Sequence, residues 1–125
     1  MNALLMAQRA YTQPTTSTRT DRAIEYDLLA RVTHRIKSAA QAGPTAYPCL
    51  VRALYDNRRL WTALAVDVVS PDNALPQELR AQIFYLAEFV QTHTGKVLAR
   101  KARLAPLLEV NAAILRGLGG QRPTR

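Results

Sequence analysis

The chain of 125 residues has a single cysteine, Cys49, and therefore cannot form an internal disulfide. No cluster of cysteine and histidine has the spacing of zinc ligands, because His34 and His93 lie apart without suitable neighbours. Five glycines are few for tight hairpins, and two phenylalanines and one tryptophan leave aliphatic residues to form the core. These shortages favour helices over sheets and require no oxidising compartment.

Long hydrophobic runs are also missing. The N-terminal stretch MNALLMAQRA is interrupted by Arg9 and has no leading positive charge, so neither a membrane span nor a secretory signal is predicted. A glycine-rich phosphate loop, a nucleophile elbow and a paired-carboxylate motif are absent as well. We therefore expect a cytoplasmic protein that is not an enzyme and needs no cofactor or metal.

Positive charge, in contrast, is plentiful. The chain has 17 lysines and arginines and 9 acidic residues, which gives a net charge of +8. Residues 96–125 hold seven basic residues against Glu109 alone, a net of +6. Residues 72–95 hold one basic residue against three acidic ones, a net of −2. The excess is consistent with a nucleic-acid partner, an acidic protein partner or solubility alone.

Four segments have the apolar spacing of amphipathic helices. The first covers about residues 21–42, where Ile24, Leu28, Val32 and Ile36 recur every four residues and Gly43-Pro44 follows. The others begin at Tyr47-Pro48, at Pro76 as the first helical residue, and at Pro106, and the last is closed by Gly117, Gly119 and Gly120. The sequence thus predicts an all-α fold, an antiparallel-type bundle of four main helices over residues 21–120.

The N-terminus is predicted to be a separate short helix over residues 1–11, joined to the bundle by a threonine-rich linker over residues 12–20. Two to three turns are marginally stable alone. We therefore expect Leu4, Leu5 and Tyr11 to dock on the bundle and to cap the groove that receives a partner. Residues 121–125 are expected to form a disordered tail.

Several sequence blocks follow one another in a specific order and spacing: the helix ending in Ala10-Tyr11, the threonine-rich linker, RAIEYDLLARVT from Arg22, DNRRLW from Asp56, SPDNALPQELRAQI from Ser70, YLAEF from Tyr85 and EVNAAILRGL from Glu109. Together these blocks resemble the FlaF family of flagellar biosynthesis regulatory proteins of alphaproteobacteria. The resemblance implies a cytoplasmic flagellin secretion chaperone that supports flagellin synthesis and export with the partner regulator FlbT. Flagellin, whose terminal segments are amphipathic helices unpaired until assembly, is the implied client.

Two readings of this resemblance remain open. In the first, an apolar groove of the bundle holds a flagellin helix. In the second, the basic C-terminal quarter contacts flagellin messenger RNA or assists FlbT in post-transcriptional regulation. Residues 96–125 contain no aromatic side chain for base stacking, which favours the first reading.

The predicted partner-binding residues are mostly aromatic. Phe84, Tyr85, Phe89 and His93 widen their apolar stripe beyond what one buried face needs. Trp61 is included as a residue type common at binding hot spots, although a tryptophan on such an Ala/Leu helix is more often a core residue than a partner anchor. Asn111 interrupts an apolar stripe, where it can contact a partner or fix helix register.

Overall fold

A computed structural model describes residues 17–120, with side chains over residues 24–117. It contains helices α1 (Ser17–Ala42), α2 (Tyr47–Val68), α3 (Gln77–Leu98) and α4 (Ala105–Gly120), with a 3₁₀ turn, Pro44–Ala46, before α2. No strand occurs within the described residues, and the predicted all-α bundle is confirmed. The predictions for residues 1–11, for the linker up to residue 16 and for the tail at 121–125 lie outside the described residues.

Three predicted helix ends are corrected by the structure. Helix α1 begins at Ser17, so residues 17–20 of the expected linker are helical, because adding residues to a long packed helix costs little once it has nucleated. Pro76 is the N-cap of α3 instead of its first residue, since its ψ of 147° is extended. Gly117 lies inside α4 and does not end it. A Cβ there would lie 3.0 Å from Leu79 Cδ1, so this glycine allows α4 to approach α3 closely.

The helices form a closed ring in which each packs against the next and α4 packs against α1. Short connections make successive neighbours antiparallel, as two contacts between α2 and α3 show. Arg58 Nε donates to Gln91 Oε1 at 3.2 Å, and Arg80 Nε donates to the Val68 carbonyl at 3.0 Å. The buried aliphatic residues at the centre include Leu29, Ile36, Leu54, Leu64, Ile83, Val90, Leu107 and Ile114.

Two connections use left-handed backbone conformations. Gly43 has a φ of 92° after α1, which glycine adopts without steric cost. Arg100 has a φ of 62° after α3, with the Lys101 N–H bonded to the Lys96 carbonyl at 2.8 Å and the Arg100 N–H to the Val97 carbonyl at 3.0 Å. This is the Schellman pattern of helix termination, with an arginine where glycine is usual.

A polar network lies inside the apolar core. Asn111 Oδ1 accepts from Trp61 Nε1 at 2.8 Å, and Asn111 Nδ2 donates to Thr33 Oγ1 and to Asn57 Oδ1, each at 2.9 Å. Thr33 Oγ1 in turn donates to the Leu29 carbonyl at 2.7 Å. Trp61, Asn57 and Asn111 are fully buried, so this network joins α1, α2 and α4 within the protein interior.

The network places two predicted partner-binding residues in the core. Trp61 and Asn111 satisfy each other's polar groups in the core and expose no surface to a partner. Their assignment to a binding surface is therefore corrected. Burial of an indole N–H requires an acceptor, and Asn111 supplies it.

Replacing Asn111 tests the energetic role of this network. We expect Asn111→Leu to lower the free energy of unfolding by about 2–4 kcal/mol, because the Trp61 N–H and the Asn57 amide lose their partner while buried. Urea denaturation measures the loss. Trp61→Phe and the double variant complete a cycle that should show coupling of about 1 kcal/mol or more. Additive losses would contradict a network that acts as one unit.

Candidate partner-binding surface

Large apolar side chains lie exposed where α2 ends and α3 begins. Val66 is 50% exposed, Val69 60% and Phe84 48%. Val69 and Phe84 line a surface groove of about 410 Å³. We call this region the α2–α3 face; its groove is lined by Val68, Val69, Gln77, Arg80, Ala81 and Phe84.

Helix geometry explains why these side chains meet. The buried residues of α3 include Ile83, Ala87 and Val90, and Phe84 is rotated by about 100° from Ile83. On the same side of α3, Gln91 and Arg80 bond to α2, so Phe84 points toward α2. The antiparallel pairing brings the end of α2 beside this residue.

Arg80 closes the base of the α2–α3 face. Its Nε donates to the Val68 carbonyl at 3.0 Å and its Nη2 to the Ser70 carbonyl at 3.3 Å. The first carbonyl belongs to the last residue of α2 and has no partner within that helix, and the second lies two residues further along the chain. The guanidinium therefore fixes the start of α3 against the end of α2, and with it the position of Val69 relative to Phe84.

Phe89 and His93 lie on the other flank of α3. Phe84 and Phe89 are five positions apart, which rotates them by about 140°. The Phe89 and His93 rings stack with centroids 5.0 Å apart, and His93 Nε2 donates to the Arg103 carbonyl at 2.7 Å, before α4. Tyr85, 72% exposed, lies between the two flanks. The structure therefore divides the predicted aromatic set and leaves only Phe84 of it lining the groove of the α2–α3 face.

Val66 and Val69 were missed by the sequence prediction. Both lie off the buried face of α2, which runs through Leu60, Leu64 and Val68. The sequence did contain a signal for their exposure, because both are aliphatic residues at helix positions that face solvent and are normally polar. That Val69 and Phe84 line the same groove depends on tertiary pairing, which helical periodicity does not contain.

Comparison with known proteins supplies the biological setting. The family model described as Flagellar protein FlaF matches residues 7–118. The chain belongs to the FlaF family. Comparisons with curated proteins and with solved structures find no match.

The match of this FlaF-family chain includes all of α2 and α3 and hence the whole α2–α3 face. Among the described residues, no helix combines the length and apolarity needed to cross a bilayer. The same part of the chain contains no group of histidine, cysteine, aspartate and glutamate residues arranged to hold a metal ion.

The exposure of Phe84 generates a stability prediction. Because about half of its surface is already exposed, we expect Phe84→Ser to lower the free energy of unfolding by about 1 kcal/mol or less. Leu64→Ala, in the core, is the matched comparison and should cost about 2–5 kcal/mol. Urea denaturation of both variants measures the difference. A loss for Phe84→Ser as large as that for Leu64→Ala would assign Phe84 to the core.

Proposed function

We propose that this FlaF protein is a cytoplasmic flagellin-binding export chaperone. An amphipathic helix of flagellin lies on the α2–α3 face, and its binding supports flagellin synthesis and secretion. The observation that carries the proposal is the exposure of Val69 and Phe84 in the lining of one groove. Membership of a flagellar protein family supports the choice of client.

Physical chemistry favours a helix as the occupant. Helix-in-groove recognition uses apolar anchors spaced at three and four residues, and the α2–α3 face offers aliphatic and aromatic contacts at this scale. Such burial needs neither ATP nor a metal, because removal of apolar surface from water provides the free energy. The bundle then shields a client helix until it pairs in the filament.

A variant with two substitutions in the α2–α3 face tests the proposal through its affinity for flagellin. We expect Val69→Ser with Phe84→Ser to weaken binding of monomeric flagellin by about tenfold or more, since apolar anchors are lost from the groove. Isothermal titration calorimetry measures the affinity. Phe89→Ser with Tyr85→Ser is a matched control on the same helix and should retain most of the binding. Equal loss in both variants would argue against the α2–α3 face.

Salt dependence is a second test of the same contact. Binding through apolar burial should persist between about 50 and about 500 mM salt, because screening weakens ionic contacts only. The titrations are repeated across this range with the unmodified protein. Loss of most affinity would instead favour an ionic or RNA-type interaction.

We further propose that residues 1–11 cap the flagellin groove, with Leu4, Leu5 and Tyr11 as the apolar contacts. The tether to α1 makes docking intramolecular, at an effective concentration near the millimolar range. Deletion of residues 1–11 should therefore tighten binding of an isolated flagellin terminal helix and raise aggregation. Calorimetry and light scattering measure the two effects. Weaker binding after deletion would make this segment part of the client site and exclude a cap.

One observation favours the alternative, an RNA-associated regulator that acts with FlbT. The fold brings Tyr47, 37% exposed, beside Arg100, whose guanidinium carbon lies 5.2 Å from the ring centroid. Lys96, Lys101 and Arg103 are exposed near this end of the bundle. An aromatic ring within a basic cluster is a feature of single-stranded nucleic-acid sites. Salt-sensitive binding of flagellin messenger RNA that is lost in Tyr47→Ala would support this second function.

A further inference from the structure

A second groove runs between α1 and α2. It consists of two depressions of about 430 and 440 Å³, and Arg35 lines both of them. One extends toward Leu28 and Leu60, and the other toward Ala46 and Cys49. We call this region the α1–α2 groove.

The α1–α2 groove is separate from the α2–α3 face. Leu60 lines the groove and Val69 lines the face, and their separation of nine positions rotates them by about 180° around α2. Helix α2 therefore presents one surface on each flank. A molecule bound to the α1–α2 groove therefore leaves the α2–α3 face accessible.

The rim of the α1–α2 groove is strongly basic. Arg31, Arg35, Arg52 and Arg59 line it against one acid, Asp56, a net charge of +3. The Arg35–Asp56 ion pair, at 2.9 Å, uses the only carboxylate lining the groove. Within the described residues Arg31 and Arg59 are exposed and have no carboxylate partner. Two guanidinium groups thus remain available to an external anion.

The floor of the α1–α2 groove is aliphatic. Leu28, Val32 and Leu60 form one half, and Ala39, Ala42 and Ala46 form the other. His34 is the single aromatic lining residue and lies within 3.4 Å of the Ser38 hydroxyl in the half near Cys49, so no lining ring for stacking a nucleic-acid base lies in the half that holds Arg31 and Arg59. Aliphatic side chains between charged flanks suit an amphipathic peptide better than a phosphate backbone.

The length of the groove suits a helix. From Leu28 to Ala42 along α1 is fourteen residues, or about 21 Å at the helical rise of 1.5 Å per residue. An α-helix of about fourteen residues, four turns, has the same length. Helices of this size present apolar residues on one face and charged residues beside them.

We propose that the α1–α2 groove binds an acidic amphipathic helix of a protein partner. Its aliphatic residues contact Leu28, Val32 and Leu60, and its flanking carboxylates pair with Arg31 and Arg59. The chain's own N-terminal segment is a poor match in charge, because residues 1–16 contain Arg9 and no acidic residue. The site is independent of the proposed flagellin contact, so the bundle can hold two partners at once.

Cys49 provides a built-in reporter of this site. It is the sole cysteine, it is exposed, and it lines the groove. The probe is a synthetic fourteen-residue amphipathic peptide of leucine, alanine and glutamate that spans the groove. We expect saturating peptide to slow alkylation of Cys49 by uncharged iodoacetamide at least severalfold in the full chain, as followed by intact mass spectrometry.

Matched variants distinguish binding in the groove from an effect of the protein's net charge. Arg31→Glu with Arg59→Glu should reduce peptide affinity by about tenfold or more, because two attractive contacts become repulsive. Lys96→Glu with Lys101→Glu makes the same change in net charge outside the groove and should leave the affinity within about twofold. Circular dichroism checks that each variant is folded. Equal losses in both pairs would reduce the effect to non-specific attraction and overturn the proposal.

Three further results would also overturn it. A peptide with lysine in place of glutamate that protects Cys49 equally would remove the role of charge. Protection by a single-stranded RNA, lost in the Arg31 and Arg59 variant, would make the groove a nucleic-acid site. Faster Cys49 alkylation after deletion of residues 1–11, without peptide, would identify the occupant as the chain's own N-terminus. None of these results depends on whether flagellin binds the α2–α3 face.

Discussion

The side-chain amide of Asn111 is the contact on which the arrangement of this bundle depends. It accepts a hydrogen bond from the Trp61 indole and donates two, to Thr33 and Asn57, so one group from α4 joins α1 and α2. Aliphatic contacts alone tolerate small shifts of one helix along another, whereas these bonds hold only in one register. A buried polar side chain that specifies register is a known device in helical assemblies.

The two surfaces follow from that register. With α1 and α2 fixed by the network, Leu28 and Leu60 meet on one flank of α2 and leave Arg31 and Arg59 at the rim. On the other flank, Arg80 bonds to the carbonyls that follow α2 and sets Phe84 beside Val69. One flank combines four arginines with aliphatic side chains, and the other combines apolar side chains with Gln77 and Arg80.

The order and type of the helices could be predicted from sequence because periodicity is local. Residues such as Val32 and Ile36 recur at helical spacing, and Pro44 and Pro76 mark breaks between helices. A register-fixing role for Asn111 was among the predictions from its place in the apolar stripe, but its partner could not be predicted, since Trp61 is fifty residues away and nothing in either stripe shows that the two meet. The α1–α2 groove was missed for the same reason: Arg31 and Arg59 become neighbours only through packing. The sequence prediction assigned the aromatic residues of α3 to one groove, whereas their division between two flanks depends on which helices adjoin α3.

Helix α3 stands apart from the buried network, and this has a mechanical consequence. Among the described residues its core side chains are apolar except Thr94, whose buried hydroxyl has no hydrogen-bond partner. The polar side-chain contacts of α3, such as Arg58 with Gln91, lie near the surface, where water can replace them. Small displacements of α3 therefore break no interior hydrogen bond, while α1, α2 and α4 keep theirs. The interior hydrogen bonds among α1, α2 and α4 therefore do not hold α3, which depends on apolar packing and on the contacts that Arg80 and Gln91 make with α2 and the turn after it.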